Sequence, residues 1–291
     1  MATDESTPER ESGPTALRIV LGAQLRRLRE AAEISRADAG YTIRGSESKI
    51  SRMELGRVGL KERDVNDLLT MYGVADADER AKFLGMVRRS NEPGWWQRFT
   101  DLMPDWFQDY VGLEEAASRI LIYETQFVPG LLQTEEYATA IASHGRSELV
   151  TPDVRRRVSL RMQRQRILAR PGAPRVWAVI DESVLYRTIG GRQVLLNQLE
   201  YLLSVTKDGP ITLQIVPFPL AGYAAKGPFA MLRFGEPDLP DIVYLEHLAG
   251  ALYLDKLEEL EVYSRVFDRL TVDAETPDRS RQMLAKRRAE L

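Results

Sequence analysis

The residue types best suited to reading a nucleic acid lie between Ser35 and Glu54, in the stretch SRADAGYTIRGSESKISRME. The guanidinium group of Arg52 can donate two hydrogen bonds to O6 and N7 of guanine, and the carboxylate of Glu47 can accept one from the amino group of cytosine. Each such contact is worth about 1–3 kcal/mol of discrimination against a wrong base. This stretch therefore favours base recognition in DNA.

The spacing within this stretch predicts a helix-turn-helix. A small residue at the fifth position lets two helices cross closely, a turn at the ninth redirects the chain, and an apolar fifteenth residue anchors the second helix on the core. Counted from Arg36 as position one, these positions hold Gly40, then Arg44 with Gly45, then Ile50. The side chains left exposed are expected to reach DNA.

Capping residues predict where these helices begin and end. Ser35 and Asp38 have the spacing of a capping box, and Ser46 is an N-cap candidate for the second helix. Gly56 favours a left-handed stop, so the second helix is predicted over 47–55. Helical spacing of apolar residues predicts further helices upstream and downstream, carried by Leu21, Leu25, Leu28, Val65, Leu68, Leu69 and Tyr72.

The stretch GAQLRRLREAAEISRADAGYTIRGSESKISRMELGR resembles the Xre/Cro family of repressor-like DNA-binding domains, most specifically in its ISRMELG core. The resemblance implies that the second helix enters the major groove. It also implies an ion pair between Arg29 and Glu54 that ties the first helix to the recognition helix. The residues expected to contact bases or phosphates are Arg36, Ser46, Glu47, Ser48, Lys49, Arg52 and Arg57.

Two positions depart from the pattern of that family. Its usual glutamine at position one binds a phosphate, and Arg36 can make the same contact with a full charge. Its usual glycine at position nine is Arg44 here, and a left-handed arginine costs about 1–2 kcal/mol. Gly45 is the alternative residue for that conformation, in which case the recognition helix is slightly reoriented.

Charge is unevenly distributed along the chain. The whole sequence has 40 Lys and Arg against 43 Asp and Glu, for a net charge of -3, which argues against indiscriminate coating of nucleic acid. From Arg18 to Arg57, nine basic residues face five acidic ones. A local positive footprint on an acidic body is typical of a site-specific DNA-binding protein.

A chain of 291 residues is too long for one small helical domain, and its length suggests two domains. The absence of cysteine excludes disulfides and thiolate metal sites. No apolar run approaches the ~18 residues of a membrane span, and the polar start is unlike a signal peptide, so we expect a cytoplasmic protein. The predicted segments are a disordered tail (1–14), a helix-turn-helix domain (15–90), an aromatic connector (91–110), an α+β domain (111–275) and a polar tail that is either helical or disordered (276–291).

The connector contains the aromatic residues Trp95, Trp96, Phe99, Trp106, Phe107 and Tyr110. Rings at this density require burial or a partner. They either join the two domains through buried rings, which we favour, or form an aromatic cage for a ligand. Pro93, Gly94 and Pro104 predict a mostly non-helical segment.

Eight arginines lie between Asp153 and Asp181 without an intervening acidic residue. Val154, Val158 and Met162 are spaced by four, which predicts a helix with one buried face. Three uses of the arginines remain open: a solvated face paired with acidic neighbours, a second phosphate contact, or a surface for an acidic partner protein. The first is the commonest use of a charge run.

From Val111 the pattern predicts helices through ETQFVPGLLQTEEYATAIASHG, with a break at Pro129 and Gly130. The period changes beyond Arg175. VWAVIDESVL and ITLQIVPF read as strands around the helical RQVLLNQLEYLLSVTKDG, and FAMLRF, DIVYLEHL and ALYLD read as shorter strands before the helix KLEELEVYSRVFDRL. This order predicts an α+β domain with a mixed sheet, following a mainly α N-terminal domain.

This larger part resembles the C-terminal domain of unknown function carried by many actinobacterial Xre-type regulators. The residues that carry the resemblance are GWW (94–96), VPGLLQTEEYA (128–138), RQRIL (164–168), DES (181–183), PFPLAGYAAKGPF (217–229) and VYLE (243–246). It implies a transcriptional regulator, often encoded beside a small partner protein, and names neither a ligand nor a catalytic residue.

Sequence patterns for catalysis are weak, and we expect neither enzymatic activity nor a cofactor. The chain has two histidines, His144 in a loop and His247 after a strand. Asp181 and Glu182 could hold a hard metal with Glu246, but strand-end carboxylates also cap turns.

Two functions from different classes remain. In the first, the protein is a homodimeric transcriptional regulator that reads a palindrome with half-sites about 10 base pairs apart or a multiple of that. Its C-terminal domain would dimerise, sense a small-molecule ligand or bind a partner. In the second, the chain is an antitoxin-like module for a small partner protein, and DNA binding serves autoregulation.

Overall fold

The computed structural model describes residues 13–143, 150–219, 226–236 and 239–291. These residues form two compact units. The first holds the described parts of Met1–Gln97 and Phe234–Pro240, together with Val111–Ala116. The second holds Arg98–Tyr110 and the described parts of Ala117–Arg233 and Asp241–Leu291. Most of the predicted N-terminal tail and His144 lie outside the described residues.

Between Pro14 and Ser90, the first unit consists of five helices joined by short turns. Its helices are α1 (Pro14–Ala31), α2 (Arg36–Thr42), α3 (Glu47–Glu54), α4 (Glu62–Met71) and α5 (Ala77–Ser90). Each helix buries an apolar stripe, and the stripes meet in one core that includes Leu21, Leu25, Ile50, Leu68 and Val87. The predicted helices on both sides of the turn are confirmed.

The predicted capping residues fix the starts of α2 and α3. Ser35 Oγ accepts a hydrogen bond from the Asp38 amide nitrogen at 3.1 Å. Ser46 Oγ accepts one from the Lys49 amide nitrogen at 3.2 Å. Because each hydroxyl satisfies an amide that has no partner in its own helix, both helices begin where the sequence predicts.

The second unit combines helices with a mixed sheet. Its helices are α6 (Asp105–Ala116, whose last residues belong to the first unit), α7 (Glu135–Ser143), α8 (Pro152–Arg164), α9 (Arg192–Val205), α10 (Leu257–Asp273) and α11 (Pro277–Glu290). Short 3-10 helices lie at Trp95–Leu102, Gly130–Leu132, Gln165–Leu168 and Glu182–Leu185. The strands are β1 (Arg119–Glu124), β2 (Arg175–Asp181), β3 (Ile211–Val216), β4 (Phe229–Arg233), β5 (Ile242–His247) and β6 (Gly250–Leu254).

The sheet has the order β3-β2-β1-β4-β5-β6 in the part of the chain that is described. Strands β1, β2 and β3 run parallel, and β4, β5 and β6 each run antiparallel to the preceding neighbour in that order. The predicted strand, helix, strand unit is β2, α9 and β3. The predicted α+β class with a mixed sheet is confirmed.

Helices cover both faces of the sheet because its strands alternate apolar side chains between the two faces. One face packs against α9 and α11, through a cluster that includes Ala178, Ile180, Ile215, Leu199 and Leu284. The other packs against α10, through Tyr123, Val179, Met231, Phe267 and Leu270. No described helix combines the length and the apolar character that crossing a membrane requires.

Two expectations about secondary structure were wrong. Strand β1 lies in a segment that was read as helical from Val111 onward, and it is the strand that joins the parallel and antiparallel halves of the sheet. The segment 91–110, expected to be mostly non-helical, contains a 3-10 helix and the start of α6. Its prolines, Pro93 and Pro104, lie just before these helices, where a missing amide hydrogen disrupts nothing.

The C-terminal segment 276–291 was expected to be polar and either helical or disordered. It forms α11, whose Leu284 is fully buried against the sheet. Thr276 caps this helix by accepting a hydrogen bond from the Arg279 amide nitrogen. The domain boundaries drawn from the sequence remain predictions.

Candidate nucleic-acid interface

A glycine contact sets how closely α2 and α3 approach each other. A Cβ atom added at Gly40 would lie 2.9 Å from the carbonyl carbon of Ser46 and 3.2 Å from the amide nitrogen of Glu47. Real Cβ atoms are almost never found within 3.0 Å of another heavy atom of this kind, so a side chain at Gly40 would push α2 and α3 apart. Gly40, the small residue at position five, therefore lets α2 and α3 cross closely, as the spacing predicts.

One face of α3 anchors the helix on the core of the first unit. Ile50 and Met53 are each 1% exposed, and Glu54 is 6% exposed. Gly22 of α1 brings the two helices into contact, since a Cβ there would lie 2.5 Å from the Met53 carbonyl oxygen. The apolar anchor predicted at position fifteen is confirmed, and the opposite face of α3 is left exposed.

The turn between α2 and α3 is a left-handed cap centred on Arg44. Its φ is 51°, and the Gly45 amide donates to the Gly40 carbonyl oxygen at 2.8 Å, as in a Schellman motif. The alternative in which Gly45 takes the left-handed conformation is wrong. Gly56 ends α3 with the same geometry, at φ 65°, as predicted.

A buried cluster of charges ties α3 to α1 and α2. Arg29 Nε donates to Glu54 Oε1 at 2.5 Å and Arg29 Nη2 to Glu54 Oε2 at 3.2 Å, so the ion pair implied by the family resemblance is confirmed. Hydrogen bonding to Glu54 raises the pKa of the Arg29 guanidinium. Arg36 Nε also donates to Glu54, at 3.0 Å. No pattern in the sequence predicts that Arg36 joins this pair.

Lys49 points toward α4. Its Nζ lies 2.5 Å from Asp64 Oδ2, and the lysine side chain is 32% exposed. One of its three ammonium hydrogens is therefore committed to a carboxylate within the same unit. The sequence pattern predicts that Lys49 faces DNA and does not reveal this ion pair.

The remaining predicted residues share the exposed surface of α3 and its two flanking turns. Ser46, Glu47, Ser48, Arg52 and Arg57 are all exposed. Arg52 Nε makes a long hydrogen bond of 3.4 Å to the Ser48 carbonyl oxygen, within the helix. The structure therefore brings these five side chains to one helix and its ends, as the sequence predicts.

Two exposed residues beside this surface were not among the predicted contacts. Arg44 presents its side chain from the turn, and Tyr41 at the end of α2 is 87% exposed. Arg44, Arg52 and Arg57 form no ion pair with any residue that the structure describes. The arginine at a turn position that usually holds glycine is the sequence feature from which Arg44 could have been predicted as a contact.

Acidic residues of the second unit that were considered for a metal have structural partners. Asp181 Oδ1 accepts a hydrogen bond from the Ser183 amide at 2.9 Å. Glu182 Oε2 accepts one from the Phe218 amide at 2.7 Å. Both carboxylates therefore cap turns, which is the alternative that the sequence left open. His247 is exposed at the end of β5.

Three of the arginines of α8 make contacts of different kinds. Arg156 forms a bidentate ion pair with Asp101, at 2.5 and 2.8 Å. Arg161 donates to Gln133 Oε1 at 2.6 Å, and Arg164 lies over the ring of Phe107 at 5.1 Å. The pair with Asp101 has the form expected of a solvated face that is paired with acidic neighbours.

Comparison with known proteins gives two family matches. Residues 107–286 match the family described as a domain of unknown function (DUF5753), and residues 20–83 match the model described as a helix-turn-helix domain. No curated protein and no solved structure matches the chain. The helix-turn-helix match covers α2, the turn and α3, and such a domain indicates DNA binding.

Proposed function

This chain belongs to the DUF5753 family, and we propose that it is a sequence-specific DNA-binding transcriptional regulator that reads DNA through α3. The observation that carries the proposal is the exposed side of α3. There Arg52 has no ion-pair partner among the described residues, while the opposite side is held by Ile50 and the Arg29–Glu54 pair. A rigid helix that presents a free guanidinium fits the major groove.

Within this proposal, Arg52 and Glu47 read base edges, and Ser46 and Ser48 contact the DNA from the first turn of α3. Arg57 binds a backbone phosphate, and we add Arg44 to that group because its side chain has no carboxylate partner among the residues that the structure describes. Phosphate contacts supply affinity and register, whereas base contacts supply sequence preference.

Arg36 and Lys49 keep a role in phosphate binding that is shared with a structural one. Arg36 uses Nε for Glu54, so its two terminal nitrogens remain as donors. Lys49 uses one donor for Asp64 and retains two. Because each cation is already paired, we expect their contribution to DNA affinity to be smaller than that of Arg57.

The regulator acts as a homodimer in this proposal, and the DUF5753 domain dimerises, senses a ligand or binds a partner protein. Two-fold symmetry would place two copies of α3 in successive turns of one groove and select a palindrome. We assign the chain no catalytic role.

Selection of bound fragments from a random DNA pool by the full-length chain tests sequence specificity. We expect enrichment of a palindrome with half-sites about 10 base pairs apart, or a multiple of that. Equal retention of all sequences at physiological salt would contradict the proposal. If a small stoichiometric protein then copurified with the chain, the antitoxin-like alternative would be favoured.

Matched substitutions test the division of labour on the selected site. Arg52→Gln should cost about 1–3 kcal/mol and relax preference at one base pair. Arg57→Gln should weaken binding to all sequences alike and lower the slope of log K against log salt by about one. Arg89→Gln, an exposed residue of α5, makes the same change in net charge and should do neither. Identical behaviour of Arg52→Gln and Arg57→Gln would refute the separate roles.

A further inference from the structure

Three arginines lie side by side across the sheet of the second unit. Arg119 of β1 is the register partner of Arg175 on β2 and of Arg233 on β4. Residues directly opposite each other on neighbouring strands point to the same face. Strands are about 4.8 Å apart, so three guanidinium groups leave one face of the sheet in a row.

The three arginines differ in how their charges are compensated. Arg233 lies 3.6 Å from Asp241 and donates to Ser264 Oγ at 3.2 Å. Arg119 and Arg175 are exposed, and neither has an ion pair or a side-chain hydrogen bond to any residue within the described ranges. Like charges opposite each other on a sheet are destabilising, and an anion between them would remove that cost.

A cleft opens next to the two uncompensated arginines. Its volume is about 560 Å³, and its walls include Arg119, Arg175, Trp177, Leu121 and Thr212. This volume is within the range of small-molecule sites. None of the described residues that line it is acidic. The cleft therefore combines positive charge with apolar walls.

Trp177 provides a fixed aromatic wall. Its indole Nε1 donates to Gln214 Oε1 at 2.8 Å, and its ring meets Phe267 edge-on at 5.9 Å between centroids. The side chain nevertheless stays 39% exposed. A large apolar ring that is held in position yet exposed can contact the ring of a ligand at little cost in conformational entropy.

We propose that this cleft binds a small aromatic molecule that carries a phosphate or carboxylate group. The guanidinium groups of Arg119 and Arg175 bind the anionic group, since paired N–H donors match the oxygens of phosphate and carboxylate. The ring of the ligand packs against Trp177. Thr212, the register partner of Trp177, places a hydroxyl beside that ring.

Calorimetric titration of the full-length chain with four probes tests both halves of the site. Phenyl phosphate and benzoate carry a ring and an anion, inorganic phosphate carries the anion alone, and phenol carries the ring alone. At least one of the first two should bind about tenfold more tightly than either single-feature probe, because each of those loses one set of contacts. The stronger of the two identifies the preferred anionic group.

Substitutions locate the binding. Arg119→Gln and Arg175→Gln should each weaken binding of the preferred probe about tenfold, and Trp177→Leu should remove its advantage over the anion alone. Arg192→Gln, an exposed residue at the start of α9, is the matched control and should bind normally. Circular dichroism spectra show whether each variant is folded. If one variant fails to fold, the other two still test the site.

Failure of all four probes to bind would overturn the proposal, as would unchanged binding in both arginine variants. A third contrary outcome is a loss of DNA affinity in these variants with unchanged probe binding, which would make the arginine row a contact to the phosphate backbone. Since the titrations contain no DNA, their result is independent of the proposed function in transcription.

Discussion

Arg29 on α1 and Glu54 at the end of α3 form an ion pair that is almost fully removed from solvent. Nε lies 2.5 Å from Oε1, and the two residues are only 7% and 6% exposed. Arg29 also donates to the Ile34 carbonyl oxygen at 2.9 Å, so this guanidinium joins α1, the start of α2 and α3. The orientation of α3 therefore depends on a charge pair in the core of the first unit.

Removing one member of this pair should destabilise the first unit strongly. Glu54→Gln removes the buried counter-charge of Arg29 and leaves it only the half-exposed carboxylate of Glu30, 3.4 Å away. The free energy of unfolding should therefore fall by about 3–5 kcal/mol, as for other broken buried pairs. Differential scanning calorimetry measures the change. The control is Glu62→Gln, which breaks the exposed pair with Arg88 and should shift the transition little. Equal shifts in the two variants would show that burial does not matter here.

Two glycine-to-alanine substitutions should have opposite signs. Alanine at Gly40 would force α2 and α3 apart and lower the free energy of unfolding by about 1–3 kcal/mol. Gly85 in α5 has no described atom within 4 Å of an added Cβ, and alanine there should raise stability by about 0.5–1 kcal/mol. Urea denaturation of both variants gives the comparison. Stabilisation by Gly40→Ala would contradict the close crossing of the two helices.

The left-handed residues after α1 and α2 predict two stabilising substitutions. Glu33 and Arg44 have φ values of 56° and 51°, and glycine relieves a cost that exceeds its own entropic penalty by about 0.5–1 kcal/mol. Both Glu33→Gly and Arg44→Gly should therefore raise the thermal midpoint. Only Arg44→Gly should weaken DNA binding, because only it removes a cation beside α3. Equal DNA affinity in the two variants would remove Arg44 from the proposed interface.

The helix-turn-helix could be predicted because its determinants are local. Ser35 and Ser46 cap helices within three residues, and Ile50 follows from the spacing alone. The partners of Arg36 and Lys49 could not be predicted, since Glu54 and Asp64 lie 18 and 15 residues further along the chain. Such pairs depend on how the helices pack, which no local rule fixes.

Strand β1 was missed for a different reason. Its sequence RILIYE is a short apolar run without alternation, because a strand at the centre of a sheet is buried on both faces. Periodicity cannot separate such a run from a turn of buried helix. The arginine cleft could not be predicted without β1, because Arg119 lies beside Arg175 only through the register of β1 with β2.

The carboxyl group of Glu124, at the end of β1, should make the stability of the second unit depend on pH. Burial and, to a lesser degree, the charge of Glu246 raise its pKa from 4.5 to about 7, against the opposing effects of a hydrogen bond from the Thr125 backbone and the charge of Arg161. Below pH 4.5 the group is protonated in both states. Between 4.5 and 7 the unfolded chain loses this proton while the folded one retains it, so the free energy of unfolding falls as pH rises, by about 1–3 kcal/mol.

Glu124→Gln should remove this dependence, because the amide does not titrate. Urea midpoints measured at pH 4.5 and pH 8 should converge in the variant relative to the unmodified chain. Glu136→Gln, at an exposed position of α7, is the control and should retain the full difference between the two pH values. A Glu124→Gln variant with the same pH difference as the unmodified chain would show that another group carries the titration. The difference between the two chains isolates Glu124, since every other carboxyl group is common to both.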